Sequence, residues 1–252
     1  MAREAIPGHA PAGYFERSQR PLQALIFLAP LVVLYEVGTP LFAPDQIAAR
    51  SLLQHFFETF GVVSYHLPWI AVIVVLLSLH VARRDKWDFE PRLYAVMWIE
   101  ATLLAVPLFV FMLVLFRQPT FDTPLYSVML SGTVAHDWKE GLIHSLGAGL
   151  YEELVFRLIV IAVVHSIIVD VFALPYSVGA AVSIVVSATL FSWYHFAGSQ
   201  AFQMDLALYY AGSGVYLAGI YVIRGFGIVA ALHAMYDVFC TVVIALNEAN
   251  AG

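Results

Sequence analysis

The feature that most constrains this chain is its division into apolar stretches of roughly 18 residues or more, because about 20 such residues cross the hydrocarbon core of a bilayer. A single water-excluding core would not bury that much apolar surface. The composition agrees: 61% of residues are apolar and 12% are charged, about half the ~25% charge of a soluble domain. Mean hydropathy is +0.82. These features predict an all-α fold, a polytopic transmembrane helical bundle. An aromatic content of 14% excludes disorder. Lys and Arg number 12 against 18 Asp and Glu, which argues against a nucleic-acid partner. The formal net charge of −6 points to no particular partner. A lone cysteine, Cys240, rules out an internal disulfide and a cysteine-based zinc site, and its apolar neighbours Phe239 and Val242 predict a buried thiol.

About seven spans are expected, near 21–42, 66–82, 93–116, 142–171, 177–196, 204–223 and 226–246. The first is too long for a signal-peptide core and is interrupted by Glu36, so it reads as an uncleaved helix, bent at Pro30. Between the first two spans, residues 46–60 place Ile47, Leu52, Leu53, Phe56, Phe57 and Phe60 at helical spacing beside Arg50, Gln54 and Glu58. That is the pattern of an amphipathic helix lying in the membrane interface. The chain thus divides into a polar tail over 1–20, one transmembrane domain over 21–246 and a short tail over 247–252. The fourth span exceeds ~20 residues and must tilt, kink or protrude. Gly147, Ala148 and Gly149 within it, and Gly212, Ser213, Gly214 and Gly219 in the sixth span, permit close helix approach. With the N-terminus inside, Arg3, Arg17, Arg20, Arg83, Arg84, Lys86, Arg92 and Arg224 fall on the inner side, against Arg50, Arg117 and Lys139 outside. The positive-inside rule therefore predicts a cytoplasmic N-terminus in the plasma membrane.

Ionisable residues inside hydrocarbon are the informative ones, since each costs ~2.5–3.5 kcal/mol on insertion scales unless paired or hydrated. The fourth span holds Glu152, Glu153 and Arg157. Glu153 and Arg157 are i, i+4 neighbours in the favourable order for an ion pair, and Glu152 points about 100° away. The fifth span carries Phe191 and His195 on one face, and the seventh carries His233 and Asp237, again at i, i+4. A Glu and a His can hold and deprotonate a water, while a second His beside an acid can stabilise an oxyanion or ligate a metal. Singly, each piece also reads as a packing clamp or a hydrogen-bonded core histidine; together they put polar groups needing partners on three separate spans. Glu36, Glu100, His165, Asp170 and Asp205 show no partner at helical spacing, with Glu36 and Glu100 as candidates to line a cavity. Trp69, Trp98, Tyr209, Tyr210 and Tyr221 read as belt or packing aromatics.

Three ordered motifs then resemble those of the CAAX-protease and bacteriocin-processing (CPBP) intramembrane proteases, called Abi proteins in bacteria and related to the eukaryotic CAAX prenyl endopeptidase. They are Glu152-Glu153-Leu-Val-Phe-Arg157 for EExxxR, Phe191-Ser-Trp-Tyr-His195 for FxxxH, and His233-Ala-Met-Tyr-Asp237 for the closing His-xxx-Asn/Asp. The similarity spans about 142–246, and the first motif is the most specific. The resemblance implies an intramembrane endopeptidase acting on peptide or membrane-protein substrates at the bilayer. By the same carry-over, Glu152 would be the base activating water and His195 would position that water. His233 and Asp237 would form the oxyanion side, Glu153 and Arg157 a supporting pair, and Phe191 a wall of the cavity. Many members have Asn where Asp237 stands; an Asp donates a hydrogen bond only when protonated, and its charge would instead orient His233 or favour a metal.

No cofactor is required by the sequence, although Glu152, His195, His233 and Asp237 are candidate zinc ligands. The family is described both as metalloproteases and as metal-independent glutamic proteases. The lack of a His-Glu-x-x-His helix and of a Cys ligand set tips the reading to the glutamic mechanism. Other protease types fit poorly, since the chain has Ala211-Gly212-Ser213-Gly214 in place of Gly-x-Ser-Gly, and no Gly-x-Gly-Asp follows Tyr236-Asp237. An ion-coupled transporter would use intramembrane Glu, His and Asp as a proton relay, but would predict an inverted repeat. A non-catalytic scaffold descended from the protease fold would need Glu153 and Arg157 but not Glu152.

Overall fold

A computed structural model describes residues 13–42, 48–59, 67–116, 138–196 and 202–251. Of the residues used above, Arg3, Ile47, Phe60, His66 and Arg117, with the side chains of Gln54, Phe56 and Phe57, lie outside that set. The described residues form helices α1 (Tyr14–Ser18), α2 (Pro21–Phe42), α3 (Ala48–Thr59), α4 (Leu67–Arg83), α5 (Pro91–Leu115), α6 (Trp138–Val171), α7 (Tyr176–Phe196), α8 (Met204–Arg224) and α9 (Phe226–Ala251). Helix is what the apolar composition dictates, because in lipid each backbone N–H and C=O must be satisfied within its own segment.

Among the described residues, six helices are long and apolar enough to cross a membrane: α2, α5, α6, α7, α8 and the Phe226–Leu246 part of α9. Helix α4, expected as a seventh span, has 17 residues. At 1.5 Å per residue its described residues reach about 25 Å, at the short end of the ~17–25 residues that span a bilayer. Helix α2 continues through Pro30 and Pro40, and α5 through Pro107. The last helix does not stop at the predicted tail but runs on to Ala251.

Helix α6 is 34 residues long, about 51 Å, and so must tilt or protrude as its sequence demands. From Leu154 to Ile161, and again from Ile167 to Val171, its backbone bonds in the wider i to i+5 π pattern. Such segments are frequently found at functional sites, and the first begins immediately after Glu153.

The core is built on α9, whose residues Ile228 to Leu232 and Ala234 are fully buried against α6, α5, α2 and α8. The small residues do what small residues allow: a Cβ on Gly149 would fall on the Ala234 backbone of α9, and one on Gly214 would come within 2.9 Å of Ala188 Cα on α7. Helices α8 and α9 are joined by Gly225 alone, at φ +78°, a left-handed conformation that favours glycine. Apolar side chains such as Leu103, Val110, Val185 and Val215 point outward, as lipid-facing residues do. Cys240 is a buried free thiol, as expected.

Two acids that sequence spacing left without partners are paired across helices. Glu36 of α2 meets Arg50 of α3 at 3.2 Å and accepts the Tyr151 hydroxyl at 3.0 Å. Arg50 is fully buried, its guanidinium 5.1 Å from the Tyr35 ring and 5.4 Å from the Tyr151 ring. Helix α3 is therefore amphipathic but docks through Ala49, Arg50 and Leu53 on a charged pair as well as an apolar face. Glu100 of α5 accepts from Arg224 Nη2 at 2.7 Å and from the Tyr14 hydroxyl. Burial and the neighbouring Glu100 charge raise the Tyr14 hydroxyl well above the ordinary phenol range, so it stays a donor. The tail over 1–20 is thus partly structural: Arg17 pairs with Glu90, and Arg20 lies 3.8 Å from both Asp85 and Asp88. Asp170 and Asp205 are exposed, and His165 meets Tyr176 edge-on at 4.6 Å.

Candidate active site

Helices α6, α7, α8 and α9 bring polar side chains together inside the bundle. Glu153 is fully buried and is shared by two cations or donors. Arg157 Nε lies 3.0 Å from its Oε2, one helical turn along α6, and His233 Nδ1 lies 2.8 Å from its Oε1. The pair expected from the i, i+4 spacing is present; the tie to His233 on α9, 80 positions away in sequence, is not visible from spacing at all. With an ionised Glu153 as acceptor, His233 Nδ1 carries the hydrogen and Nε2 is left facing Asp237 Oδ2 at 3.6 Å.

Arg157 is held on more than its acid. Its Nη1 donates to Ser187 Oγ at 3.1 Å, and Ser187 donates onward to the Phe156 carbonyl at 2.8 Å. Its guanidinium lies 4.7 Å from the centre of the Phe191 ring, a cation–π contact in a dry setting. Phe191 is buried and also meets the His195 ring edge-on at 4.7 Å and the His233 ring at 6.0 Å. It stands between the structural cation and both histidines, more specifically placed than a cavity wall.

Glu152 is buried beside Glu153 but turned elsewhere, as one residue of helix requires. Its Oε2 is 3.9 Å from His195 Nε2, too long for a direct hydrogen bond. His195 is oriented from its other nitrogen, since Nδ1 lies 2.8 Å from the Phe191 carbonyl oxygen one turn back on α7. Nδ1 thus carries the hydrogen, and Nε2 is an unprotonated acceptor aimed at Glu152 whenever the ring is neutral. The expected site residues thus stand as two pairs, Glu152 with His195 and His233 with Asp237. Asp237 and His195 keep about a fifth of their side-chain surface accessible, whereas Glu153 and Arg157 have none. The accessible side of the cluster is the one with Glu152, His195 and Asp237; Glu153 and Arg157 lie behind it.

Residues 134–239 match the family described as type II CAAX prenyl endopeptidase Rce1-like. This region is similar to the Rce1-like family. Comparison with curated proteins and with solved structures gives no match. The Rce1-like region takes in Glu152, Glu153, Arg157, Phe191, His195, His233 and Asp237, and helices α1 to α5 lie before it. The chain is thus a multi-pass membrane protein with a CAAX-endopeptidase-like segment.

Zinc was the open alternative in the sequence. Among the described residues, no three His, Cys, Asp or Glu side chains stand as a metal site requires. The donors form two separate pairs instead, Glu152 with His195 at 3.9 Å and His233 with Asp237 at 3.6 Å. A zinc site takes at least three protein ligands on one ion. The side chains as arranged do not fit that group.

One participant was missed. Tyr210 of α8, read from sequence as a belt or packing aromatic, stacks on the His195 ring with centroids 3.9 Å apart and planes 20° from parallel. An aromatic on an apolar helix carries no signal of what it stacks on, so only the packing of α8 against α7 reveals it.

Proposed function

We propose that this protein is an intramembrane endopeptidase in which Glu152 and His195 together activate a water for attack on a peptide carbonyl. The observation that carries the reading is Glu152 facing His195 Nε2 at 3.9 Å while Nδ1 of that ring is tied to the Phe191 carbonyl. In this mechanism Glu152 takes the proton from the water as the new C–O bond forms. The oxyanion develops on the other side of the carbonyl, where His233 donates from Nε2 in its protonated form. Glu153 holds that ring through Nδ1, leaving Nε2–H for the oxyanion, and Asp237 lies beside it at 3.6 Å as a counter-charge where an Asn would donate directly. Glu152 then returns the proton to the leaving amine, and the peptide bond breaks. Arg157 offsets the charge of Glu153.

The substrate class we infer is the C-terminal tail of a prenylated CAAX peptide, on the strength of the family match. The test is release of the C-terminal fragment from a prenylated CAAX peptide by the purified protein in liposomes, with an unlipidated copy of the same peptide alongside. Cleavage dependent on the lipid supports the reading, and absence of cleavage of both peptides by the folded protein sinks it. Orientation is a second expectation, in the plasma membrane with the N-terminus cytoplasmic. Reporter fusions should place the loop containing Asp85 inside and the C-terminus outside, and the reverse pattern would invert the assignment.

A further inference from the structure

We propose that Tyr210 is a positioning residue that acts through His195, its ring holding the imidazole in the plane that aims Nε2 at Glu152. The catalytic consequence rests on the function proposed above; the placement of the ring does not. Four contacts fix His195, and they come from two helices. Within α7, its Nδ1 is tied to the Phe191 carbonyl at 2.8 Å, and the rings of Phe191 and Tyr194 meet it edge-on at 4.7 and 5.2 Å. A single bond from Nδ1 leaves the ring free to swing about that bond. The stack from α8, at 3.9 Å and 20°, is the contact that opposes the swing.

Tyr210 is itself held. Its side chain is buried, wedged against Phe196 at 5.8 Å and Tyr209 at 5.5 Å. Tyr209 is anchored in turn by a hydroxyl-to-hydroxyl bond with Tyr236 of α9. Gly214, one turn further along α8, lets that helix approach α7 closely enough for the stack to form. Among the described residues the Tyr210 hydroxyl has no hydrogen-bond partner, so the ring rather than the hydroxyl makes the contact.

The test has two arms. Structures of Tyr210→Phe and Tyr210→Leu, in nanodiscs, read the placement without any assay. His195 should keep its bond to the Phe191 carbonyl and its aim at Glu152 in the Phe variant, and should turn away in the Leu variant. An unmoved His195 in Tyr210→Leu overturns the proposal. The kinetic arm uses the prenylated peptide. Tyr210→Leu should lower kcat about 10- to 100-fold with KM changed less than about twofold, the scale expected of a misplaced catalytic group. Tyr210→Phe should stay near wild type. In a His195→Ala background the Leu substitution should cost nothing further, because a residue acting through His195 has nothing left to position. Equal losses in the Phe and Leu variants, or a Leu effect that persists without His195, would overturn the proposal. If wild type cleaves neither peptide, the proposed function fails while the structural arm still decides where Tyr210 holds His195.

Discussion

Glu152→Gln lowers peptide hydrolysis by about 10²- to 10⁴-fold, the contribution expected of a lost general base, and leaves the fold intact. The second half of that expectation is what makes the first informative. Glu152 makes no hydrogen bond to the described residues, and its nearest partner is His195 Nε2 at 3.9 Å. An amide of the same shape removes a buried charge that nothing in the fold neutralises directly, so stability should be unchanged or improved. A carboxylate kept inside hydrocarbon at a cost to stability, with no structural partner in return, is the mark of a group retained for chemistry. The variant should therefore purify with wild-type yield and thermal midpoint and fail only in the cleavage assay. A folded Glu152→Gln protein that still cleaves within a few fold of wild type would remove Glu152 from the mechanism, and the scaffold reading would then regain its footing.

Arg157→Ala behaves in the opposite way, costing about 3–5 kcal/mol of stability by leaving a buried carboxylate without its counter-charge. Its thermal midpoint and yield in detergent should both fall, with activity falling as a consequence. Arg157→Lys should rescue little. The guanidinium ion-pairs with Glu153 through Nε, donates to Ser187 through Nη1 and lies over Phe191, and an ammonium cannot do all three from one position. The double replacement Glu153→Leu with Arg157→Met separates the two duties of Glu153. It removes both buried charges and should recover much of the stability. It should not recover activity, since His233 would lose the acceptor that fixes its Nδ1 at 2.8 Å. An unchanged midpoint in Arg157→Ala would show that the ion pair carries no structural role.

The contrast between these two adjacent acids shows how far sequence reaches into a site like this one. The order Glu153 before Arg157 at one-turn spacing is a local relation, and the structure has it. The offset of Glu152 by one residue is local too, which is why its separate environment was legible. What joins the helices was not. His233 takes Glu153 rather than Glu152, Arg50 closes on Glu36 and Arg224 on Glu100, the last two separated by 14 and 124 positions. Such pairs depend on how helices rotate and cross, and a helical repeat says nothing about its neighbour's phase. The same holds for Tyr210, whose side chain could face lipid or a histidine without any change in the pattern around it.

The sequence by itself therefore determined the class of molecule, the position of most spans and the local chemistry of each motif. In lipid a helix must satisfy its own backbone, so an apolar stretch of sufficient length leaves few alternatives. The tertiary structure alone decided that α6 takes π geometry beyond Glu153 and that α3 enters the bundle through a buried arginine. It also decided which of two neighbouring glutamates is consumed in holding the protein together and which is left facing a histidine. That choice follows from the close approach of α6 and α9 at Gly149 and Ala234 and of α7 and α8 at Ala188 and Gly214. Contacts of that kind are set by packing across helices, where the energy of pairing a buried charge can be met by any partner the packing brings within reach.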